Sequence, residues 1–354
     1  MKKHLKRSLS LLLALFLLLC VFGCADSAND TQSSSELTSA DAQTVTVPAD
    51  SETEPADTTP QRPAREPDVP ELRVLITSDT HFTHLQTWYG VSHTDRMQRW
   101  VDAIKEEHAK DPYDLIIVAG DTSLDHWGSG GSWLNEGVST AKLFVEQYVS
   151  QLPKDVPVFV MPGNHEAFTE EQWFSLTGYH RQDAVAMNGN LFILVDSFNK
   201  NLDPQQHYGG SHHLTPIKTD YIEEQMALYP DHNVYLVAHY FDYQNATKEF
   251  KDLIKNNDRI IMLFEAHKHV TDIIFMGAEY GNKVLAHTGN FSYTGDDAST
   301  ETIKRSFWGF RELEIYDDHC ETRYIVVKSQ AKINGQLTNV PRQIVDSIPV
   351  YYKK

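Results

Sequence analysis

The chain has 354 residues, with 49 Asp and Glu against 31 Lys and Arg, which gives a formal net charge of −18. A surface this acidic repels nucleic-acid polymers, so DNA and RNA are not expected as partners. This charge does not exclude a small anionic ligand, because a bound cation can reverse the sign of the potential locally.

Residues 1–23 have the pattern of a signal peptide. Four basic residues lie among positions 2–7, and the apolar run 11–22 follows them. This run is shorter than the roughly 20 apolar residues that are needed to span a bilayer. The sequence therefore predicts that the protein is exported.

Cys24 lies in a sequence that looks like a lipobox, in which the cysteine is acylated and becomes the mature N-terminus. Phe22 is bulkier than the residue usual at its position, so an ordinary secretory peptide or an uncleaved anchor is the alternative. We expect a lipid anchor on the outer face of the cell membrane, with a secreted protein as the second interpretation. Beyond Cys20 and Cys24 the chain contains only Cys320, so no internal disulfide is predicted.

Residues 24–70 are interpreted as the lipidated cysteine and a disordered acidic tether. The segment is rich in Ser, Thr, Asp, Glu, Ala and Pro and has almost no aromatic residues. Such a composition cannot bury enough apolar surface to offset the entropy of ordering the chain. One folded domain is predicted for residues 71–354, with a β-rich part from about residue 271.

Within this domain, strand and helix patterns first alternate and then give way to strands alone. Apolar strand-like runs lie at 72–76, 115–118, 156–161, 191–195, 234–238 and 260–264, and helical spacing lies at 94–110, 138–152, 218–228 and 247–255. Further strands are predicted at 273–275, 284–287, 310–316 and 323–328. The alternating half predicts strands joined by helical crossovers, and the later half predicts a second, more meandering sheet packed face to face with the first.

Five short polar clusters each follow one of the strand-like runs. They are Asp79-Thr80-His81, Gly120-Asp121, Gly163-Asn164-His165-Glu166, His239 and Ala266-His267-Lys268-His269. The carboxyl ends of strands in an α/β sheet meet at one edge, so we expect these groups to share a cleft. Asp79 and His81, two residues apart on a segment expected to be extended, should point to the same side. Carboxylate, amide and imidazole groups are suitable ligands for divalent metals.

This set and order of motifs resemble the calcineurin-like metallophosphoesterase family, whose signature runs DxH, GD, GNH[DE], a lone His and GHxH. The resemblance covers about residues 72–290. It implies an α/β fold, namely an αββα sandwich of two mixed β-sheets flanked by helices.

The resemblance also implies two divalent or trivalent metal ions, and Mn, Fe and Zn suit these ligands comparably. One ion would be held by Asp79, His81, Asp121 and His269, and the other by Asp121, Asn164, His239 and His267. Asp121 would bridge the two ions.

The implied activity is a metal-dependent phosphoesterase that hydrolyses phosphate esters, with small phosphodiesters favoured over monoesters. A hydroxide bridging the metals would attack phosphorus in line with the leaving group, and His165 would act as the acid. The alternative is a catalytically inactive, lipid-anchored binding protein on the same fold.

The chain departs from the family pattern at two places. Ala266 stands where the family usually has Gly, which costs little unless the position needs a positive φ. Residues 122–126 replace the Asp-Arg-Gly of the protein-phosphatase branch, so the acidic partner of His165 is undefined. Asp125 is interpreted as a solvated loop residue or, less favoured, as that partner.

Other aromatic and basic residues follow the first three clusters. The tryptophans Trp88, Trp127, Trp133 and Trp173, with Tyr89 and Tyr179, either wall the cleft or cover edges of the core. The residues His84, His126, His212, His213 and Arg181 either contact phosphate or are ordinary surface residues.

Overall fold

The computed structural model describes residues 69–83, 87–88, 91–125, 137–202, 213–292, 307–333 and 336–352. The predicted signal peptide, Cys24 and nearly all of the predicted tether lie outside these residues, and so do Tyr89, Trp127 and Trp133. In the described part of the chain, no helix is both long and apolar enough to cross a membrane.

The described part contains sixteen strands and five α-helices. The strands are β1 (Leu72–Thr77), β2 (Thr87–Trp88), β3 (Val91–Ser92), β4 (Leu115–Ala119), β5 (Val158–Met161), β6 (Asp183–Met187), β7 (Asn190–Val195), β8 (Asn233–Ala238), β9 (Ile260–Glu265), β10 (Ile273–Phe275), β11 (Val284–His287), β12 (Gly309–Ile315), β13 (His319–Val326), β14 (Ser329–Ile333), β15 (Gln336–Val340) and β16 (Gln343–Tyr351). The helices are α1 (His93–Lys110), α2 (Thr140–Gln147), α3 (Glu170–Thr177), α4 (Asp220–Leu228) and α5 (Lys248–Asn256). Short 3₁₀ turns lie at Val149–Gln151 and Ala278–Tyr280.

The first large sheet has the order β16-β13-β12-β1-β4-β5. Strands β1, β4 and β5 are parallel to one another, whereas β12, β13 and β16 join the other side of β1 through antiparallel pairs. The second large sheet has the order β10-β11-β9-β8-β7-β6, with a parallel centre and an antiparallel strand at each edge. Both sheets are therefore mixed.

The expected division of the two sheets between an earlier and a later half of the chain is wrong. Strands β12, β13 and β16 return to β1 in the first sheet, and the second sheet is built from residues 183–287. The reason is pairing: an open edge of β1 presents unpaired backbone groups, and the C-terminal strands satisfy them.

The two sheets pack face to face, with helices on their outer faces. In β1, Leu72, Val74 and Ile76 point into the core between the sheets, whereas Leu75 points to the outer core with Trp100 of α1. A third core lies on the outer face of the second sheet and includes side chains of α4 and α5. The result is the αββα sandwich that the resemblance implied.

The sequence patterns missed α3, β6, the last three strands and the two-residue strands β2 and β3. Helix α3 has local signals: Thr169 and Gln172 form a capping box, and Gly178 ends the helix in the left-handed conformation. In β16, by contrast, most residues are exposed, so no apolar alternation marks the strand.

Candidate metal centre

The five polar clusters follow strands that end at the same edge of the sandwich. Asp79 follows β1, Asp121 follows β4, Asn164 follows β5, His239 follows β8 and His267 follows β9. All seven predicted ligands and His165 come within contact distance of one another or of a shared neighbour. The structure thus brings together residues that are up to 190 positions apart in the chain.

Asp121 lies at the centre of this cluster and is buried. Its Oδ2 atom is 3.4 Å from Nε2 of His81, 3.5 Å from Nε2 of His165 and 3.1 Å from Nε2 of His239. Its Oδ1 atom accepts a hydrogen bond from the backbone N–H of His165, at 3.0 Å. One carboxylate therefore contacts side chains from three different loops.

The remaining groups divide into two sets on either side of Asp121. Oδ1 of Asp79 is 3.0 Å from Nε2 of His269 and 3.9 Å from Nε2 of His81. On the other side, Oδ1 of Asn164 is 2.8 Å from Nδ1 of His267 and 3.1 Å from Nε2 of His239. His267 and His269 thus belong to different sets, although one residue separates them.

Five of the seven predicted ligands have a left-handed backbone. The φ angles are 52° at Asp79, 45° at His81, 49° at Asp121, 64° at His267 and 57° at His269. The expected extended segment from Asp79 to His81 is therefore wrong, although both side chains do reach the cluster. Such conformations cost on the order of 1–3 kcal/mol each and persist where the surrounding fold overrides them, most often at functional sites.

The glycines of the second and third motifs are needed because the loops approach each other closely. A Cβ atom at Gly163 would lie 2.3 Å from Oδ1 of Asp121 and 2.8 Å from Nε2 of His239. At Gly120, which has φ of +86°, a Cβ atom would lie 2.6 Å from Nδ1 of His239. Any larger side chain at either position would push apart the residues around Asp121.

Glu166 joins the loops that carry Asp121 and Asn164. One carboxylate oxygen accepts from the backbone N–H groups of Gly163 (2.7 Å) and Asp121 (3.1 Å). The other accepts from the backbone N–H (2.7 Å) and hydroxyl (3.1 Å) of Ser123 and from the hydroxyl of Thr122 (3.2 Å). The motif indicated an acid here, but only the fold shows that it fixes two loops.

Arg96 of α1 fixes the first motif and was missed by the sequence analysis. Its fully buried guanidinium donates to the backbone carbonyls of Thr80, His81 and Phe291. These bonds fix the backbone on which His81 lies. The signal that could have found Arg96 is its position four residues before Trp100, on the apolar face of the predicted helix.

Burial and mutual interaction set the charges in the cluster. Although burial opposes ionisation, the neighbouring His165 and His239 hold the pKa of Asp121 well below its usual value. Burial likewise opposes the charged form of His239, but Asp121 raises the pKa of His239 to about 10. The Asp121–His239 pair is accordingly ionic in the metal-free site.

The other histidines with shifted pKa values are neutral. Burial lowers the pKa of His165 to about 3 and that of His267 to about 4, and it also lowers the pKa of His81. Burial opposes the ionisation of Asp79, but His269 lowers the pKa of that carboxyl. Neutral imidazoles beside ionised carboxylates are the protonation states that metal binding requires.

The residues present fit a metal centre. Three groups have ligand atoms that all lie within 4.8 Å of one another: Asp79 with His81 and His269, His81 with Asp121 and His165, and Asp121 with His239 and His267. Two carboxylates and several imidazoles share this buried space, and such a donor set suits transition metals and zinc. Asp121 belongs to two of these groups, and His81 links the first group to the second.

Asp125 is not a solvated loop residue, so that preferred interpretation is wrong. It is fully buried and accepts hydrogen bonds from the backbone of Thr140 and Ala141 and from the hydroxyls of Ser139 and Thr140. These contacts stabilise the N-terminus of α2. Asp125 has a structural role, and the described contacts do not pair it with His165.

Arg181 is not a surface residue and is not free to bind phosphate. It is buried, pairs with Asp196 at 2.8 Å and donates to the carbonyls of Glu166, Phe168 and Phe198. His213 is also buried, and its Nδ1 is 2.9 Å from the carbonyl of Lys200. His84, His126 and His212 lie outside the described residues.

The structure answers the questions that the sequence left open about Trp173 and Ala266, and it also shows the surroundings of Cys320. Trp173 is fully buried in the core beneath the first sheet, so it covers the core and does not wall a cleft. Ala266 is not among the described residues with positive φ, so its replacement of Gly needs no backbone adjustment. Cys320 is buried, and burial raises the pKa of its thiol to about 12, which disfavours thiolate chemistry.

Comparison with known proteins agrees with this geometry. Residues 72–271 match the family model for calcineurin-like phosphoesterases. Over 213 residues, the chain is 28% identical to a protein of Pseudoalteromonas sp. (strain SM9913) named "Probable cyclic nucleotide phosphodiesterase", covering 56% of this chain and 72% of that protein.

Solved structures resemble the chain more distantly. GAP50 of Plasmodium aligns with a TM-score of 0.49 and 13% identity, covering 80% of this chain and 89% of its own. Zinc-bound Vps29 of Entamoeba histolytica aligns with a TM-score of 0.35 and 12% identity, covering 78% of this chain and 99% of its own. Similarity of this extent carries no conclusion about function.

Proposed function

This chain belongs to the calcineurin-like phosphoesterase family, and from that premise we propose that it is a dinuclear-metal hydrolase of small phosphodiesters. The observation that carries the proposal is the convergence on Asp121, whose Oδ2 lies within 3.5 Å of imidazole nitrogens from three loops. A shared carboxylate between two sets of ligands is what a pair of ions about 3.5–4 Å apart needs.

The two ions would bind to the two sets of side chains that lie on either side of Asp121. One would take Asp79, His81, Asp121 and His269, and the other would take Asp121, Asn164, His239 and His267. Mn, Fe and Zn are all compatible with these ligands. When bound, the ions would supply an activated water and neutralise charge on the phosphoryl oxygens.

His165 is proposed as the acid. Its ring contacts both Asp121 and His81, with the His81 ring 5.1 Å away, yet the resemblance assigns it to neither metal. From this position it can donate a proton or an N–H hydrogen bond to the leaving oxygen. A negatively charged phosphate beside the ring would favour its protonated form.

A phosphodiester is favoured over a monoester as substrate because a relative carries the name of a phosphodiesterase. The acidic composition supports a small ester over a nucleic-acid polymer. The leader-like residues 1–23 and Cys24 support export and a lipid anchor on the outer face of the membrane, with secretion as the alternative.

The test combines elemental analysis with activity. Purified protein should contain close to two metal ions per chain, and stripped protein should regain turnover of a chromogenic phosphodiester when Mn, Zn or Fe is added. Turnover of the matching monoester should be lower. Absence of bound metal under all these conditions would contradict the proposal and favour the inactive binding protein.

The role of His165 is tested by replacing it with Ala. The His165→Ala variant should keep its metals and lose about 10²–10⁴-fold in turnover, the usual contribution of general acid catalysis. Phe174→Ala, at an exposed position of α3, is the matched control and should behave as the wild type. Undiminished turnover in the His165 variant would remove the acid from the mechanism.

A further inference from the structure

A buried arginine connects the loop after His269 to three strands. Arg311 of β12 is fully buried. Its Nε donates to the carbonyl of His287 in β11 at 2.6 Å, and its Nη2 donates to the carbonyl of Thr271 at 2.6 Å. Its Nη1 donates to the carbonyl of Asp346 in β16 at 3.3 Å. Both large sheets and the metal-site loop thus meet at one side chain.

Asp346 contacts the same loop through its own side chain. Its carboxylate accepts a hydrogen bond of 2.5 Å from the hydroxyl of Thr271, which lies two residues after the predicted ligand His269. Thr271 is therefore held twice, at its carbonyl by Arg311 and at its hydroxyl by Asp346. The next turn of the chain is also fixed, because Asp272 and Val270 accept backbone bonds from His287 and Gly289.

The backbone of β16 is shaped to make this contact. Pairing between β13 and β16 shifts register between Thr322 and Tyr324, and Asp346 lies at this shift with φ of 52°. A β-bulge of this kind leaves one residue unpaired and redirects its side chain, and bulges are frequent next to active sites. Strand β16 is otherwise an exposed edge of the first sheet, with no other evident reason for strain at this position.

The charges are complementary. Burial lowers the pKa of Arg311 to about 10, and the neighbouring Asp346 acts against this shift. A buried cation is costly unless a counter-charge and hydrogen-bond acceptors satisfy it. Arg311 has both, and its acceptors are backbone carbonyls of the segments that it connects.

We propose that Arg311, Asp346 and Thr271 form a clamp that positions His269, so that the C-terminal strand β16 sets the affinity of one of the two metal ions. Arg311 and Asp346 both lie beyond residues 72–271, the segment that matches the family model. The clamp rests on the proposed metal centre and adds to it a set of positioning residues that touch neither metal nor substrate.

The test measures metal affinity by titrating stripped protein with Zn²⁺ or Mn²⁺ against a competing chelator. Asp346→Gly removes the carboxylate and tolerates the positive φ, and Thr271→Val removes the hydroxyl from the other side of the same bond. Each variant should bind one of two ions about 10-fold more weakly, the lower end for groups that orient ligands from outside. The double variant should bind no more weakly than Asp346→Gly alone, because that single change already removes the bond that Thr271→Val removes.

Ser347→Gly is the matched control. Ser347 is the neighbour of Asp346 on β16, and its hydroxyl donates to Glu321 on β13 at 2.6 Å without contacting the loop. The control should bind both ions as the wild type does. The clamp would be disproved if Asp346→Gly bound both ions normally, or if Ser347→Gly lost as much affinity.

The two proposals fail differently in this experiment. A wild-type protein that takes up no metal would overturn the metal centre and the clamp together. A wild-type protein that binds two ions, with Thr271→Val and Asp346→Gly unchanged, would overturn the clamp alone.

Discussion

The first prediction concerns the carboxylate of Glu166, whose hydrogen bonds connect the loops that carry Asp121 and Asn164. We consider Glu166→Gln, which keeps the size of the side chain and replaces one acceptor oxygen by an NH₂ group. One wild-type oxygen accepts from two backbone N–H groups, of Gly163 and Asp121. The other accepts from the backbone N–H of Ser123 and from the hydroxyls of Ser123 and Thr122.

The cost follows from which donors can adapt. Hydroxyls can turn and accept a bond from the new NH₂ group, but backbone N–H groups cannot. The better orientation of the amide therefore faces Ser123 and leaves its one backbone N–H without a partner. A buried unsatisfied donor costs about 1–3 kcal/mol. Burial and the neighbouring Asp121 raise the pKa of Glu166 to about 7, so the loss of charge adds little near neutral pH. We expect a loss of about 1–3 kcal/mol in the free energy of unfolding, which leaves a typical domain folded.

Denaturant unfolding of stripped protein and metal titration measure the two consequences. Because Ser123, which loses its bond, lies two residues after Asp121 on the same loop, we also expect metal affinity to fall about 10-fold or more. Glu171→Gln makes the same substitution at an exposed position in the first turn of α3 and should change neither quantity. Equal unfolding free energies for the two variants, with equal metal uptake, would refute the reasoning.

Three further predictions use other contacts. Gly163→Ala places a Cβ atom 2.3 Å from Oδ1 of Asp121, so turnover should fall about 100-fold, as for a displacement near 1 Å. The control Gly178→Ala has a positive φ, +77°, but its Cβ meets nothing within 4 Å; it should lose some stability and keep its metals and normal turnover. Arg342 makes a bidentate pair with Glu107 at 2.7 and 2.8 Å, and although burial acts against it, Arg342 lowers the pKa of Glu107. The stability from this pair is present above the usual pKa of a glutamate and is lost as pH falls through the lowered pKa. Arg342→Met should therefore lower the free energy of unfolding by about 1 kcal/mol at pH 7 and by nothing once Glu107 is protonated. If denaturant unfolding showed the same difference between variant and wild type from pH 7 to pH 3, this prediction would be contradicted. Chelation of the metals should lower the free energy of unfolding by about 2.7 kcal/mol for each bound ion, relative to protein at a metal concentration 100 times Kd. Stability should recover when metal is added back, and a chelator without effect would argue against a metal centre.

Many strands could be predicted from the sequence because the apolar pattern of a buried strand is a local property of the chain. The buried strands β1, β4, β7, β8 and β9 are continuous apolar runs, and their bounds were predicted within about two residues. Strand partners were not predictable in the same way. β12 pairs with β1 across more than 230 residues, and neither segment contains a pattern that identifies its partner.

The candidate site shows the same division. The residue types of the five motifs and their positions at strand ends were predicted from the sequence, since metal chemistry restricts which side chains can serve as ligands. The roles of the supporting side chains Arg96, Asp125 and Arg181 could not be predicted in the same way. Each is buried where other segments of the chain supply the groups that satisfy its hydrogen bonds, and that pairing is a property of the folded chain.

By itself, then, the sequence determined the chemical groups and the strands that carry them, because apolar runs and ligand types are local properties. Only the tertiary structure decided that the left-handed backbones of Asp79, Asp121 and His269 are tolerated. It alone also brought Arg311 and Asp346 to the loop after His269. The physical reason is that conformational strain and buried charge are stable only when groups far apart in the chain satisfy them together.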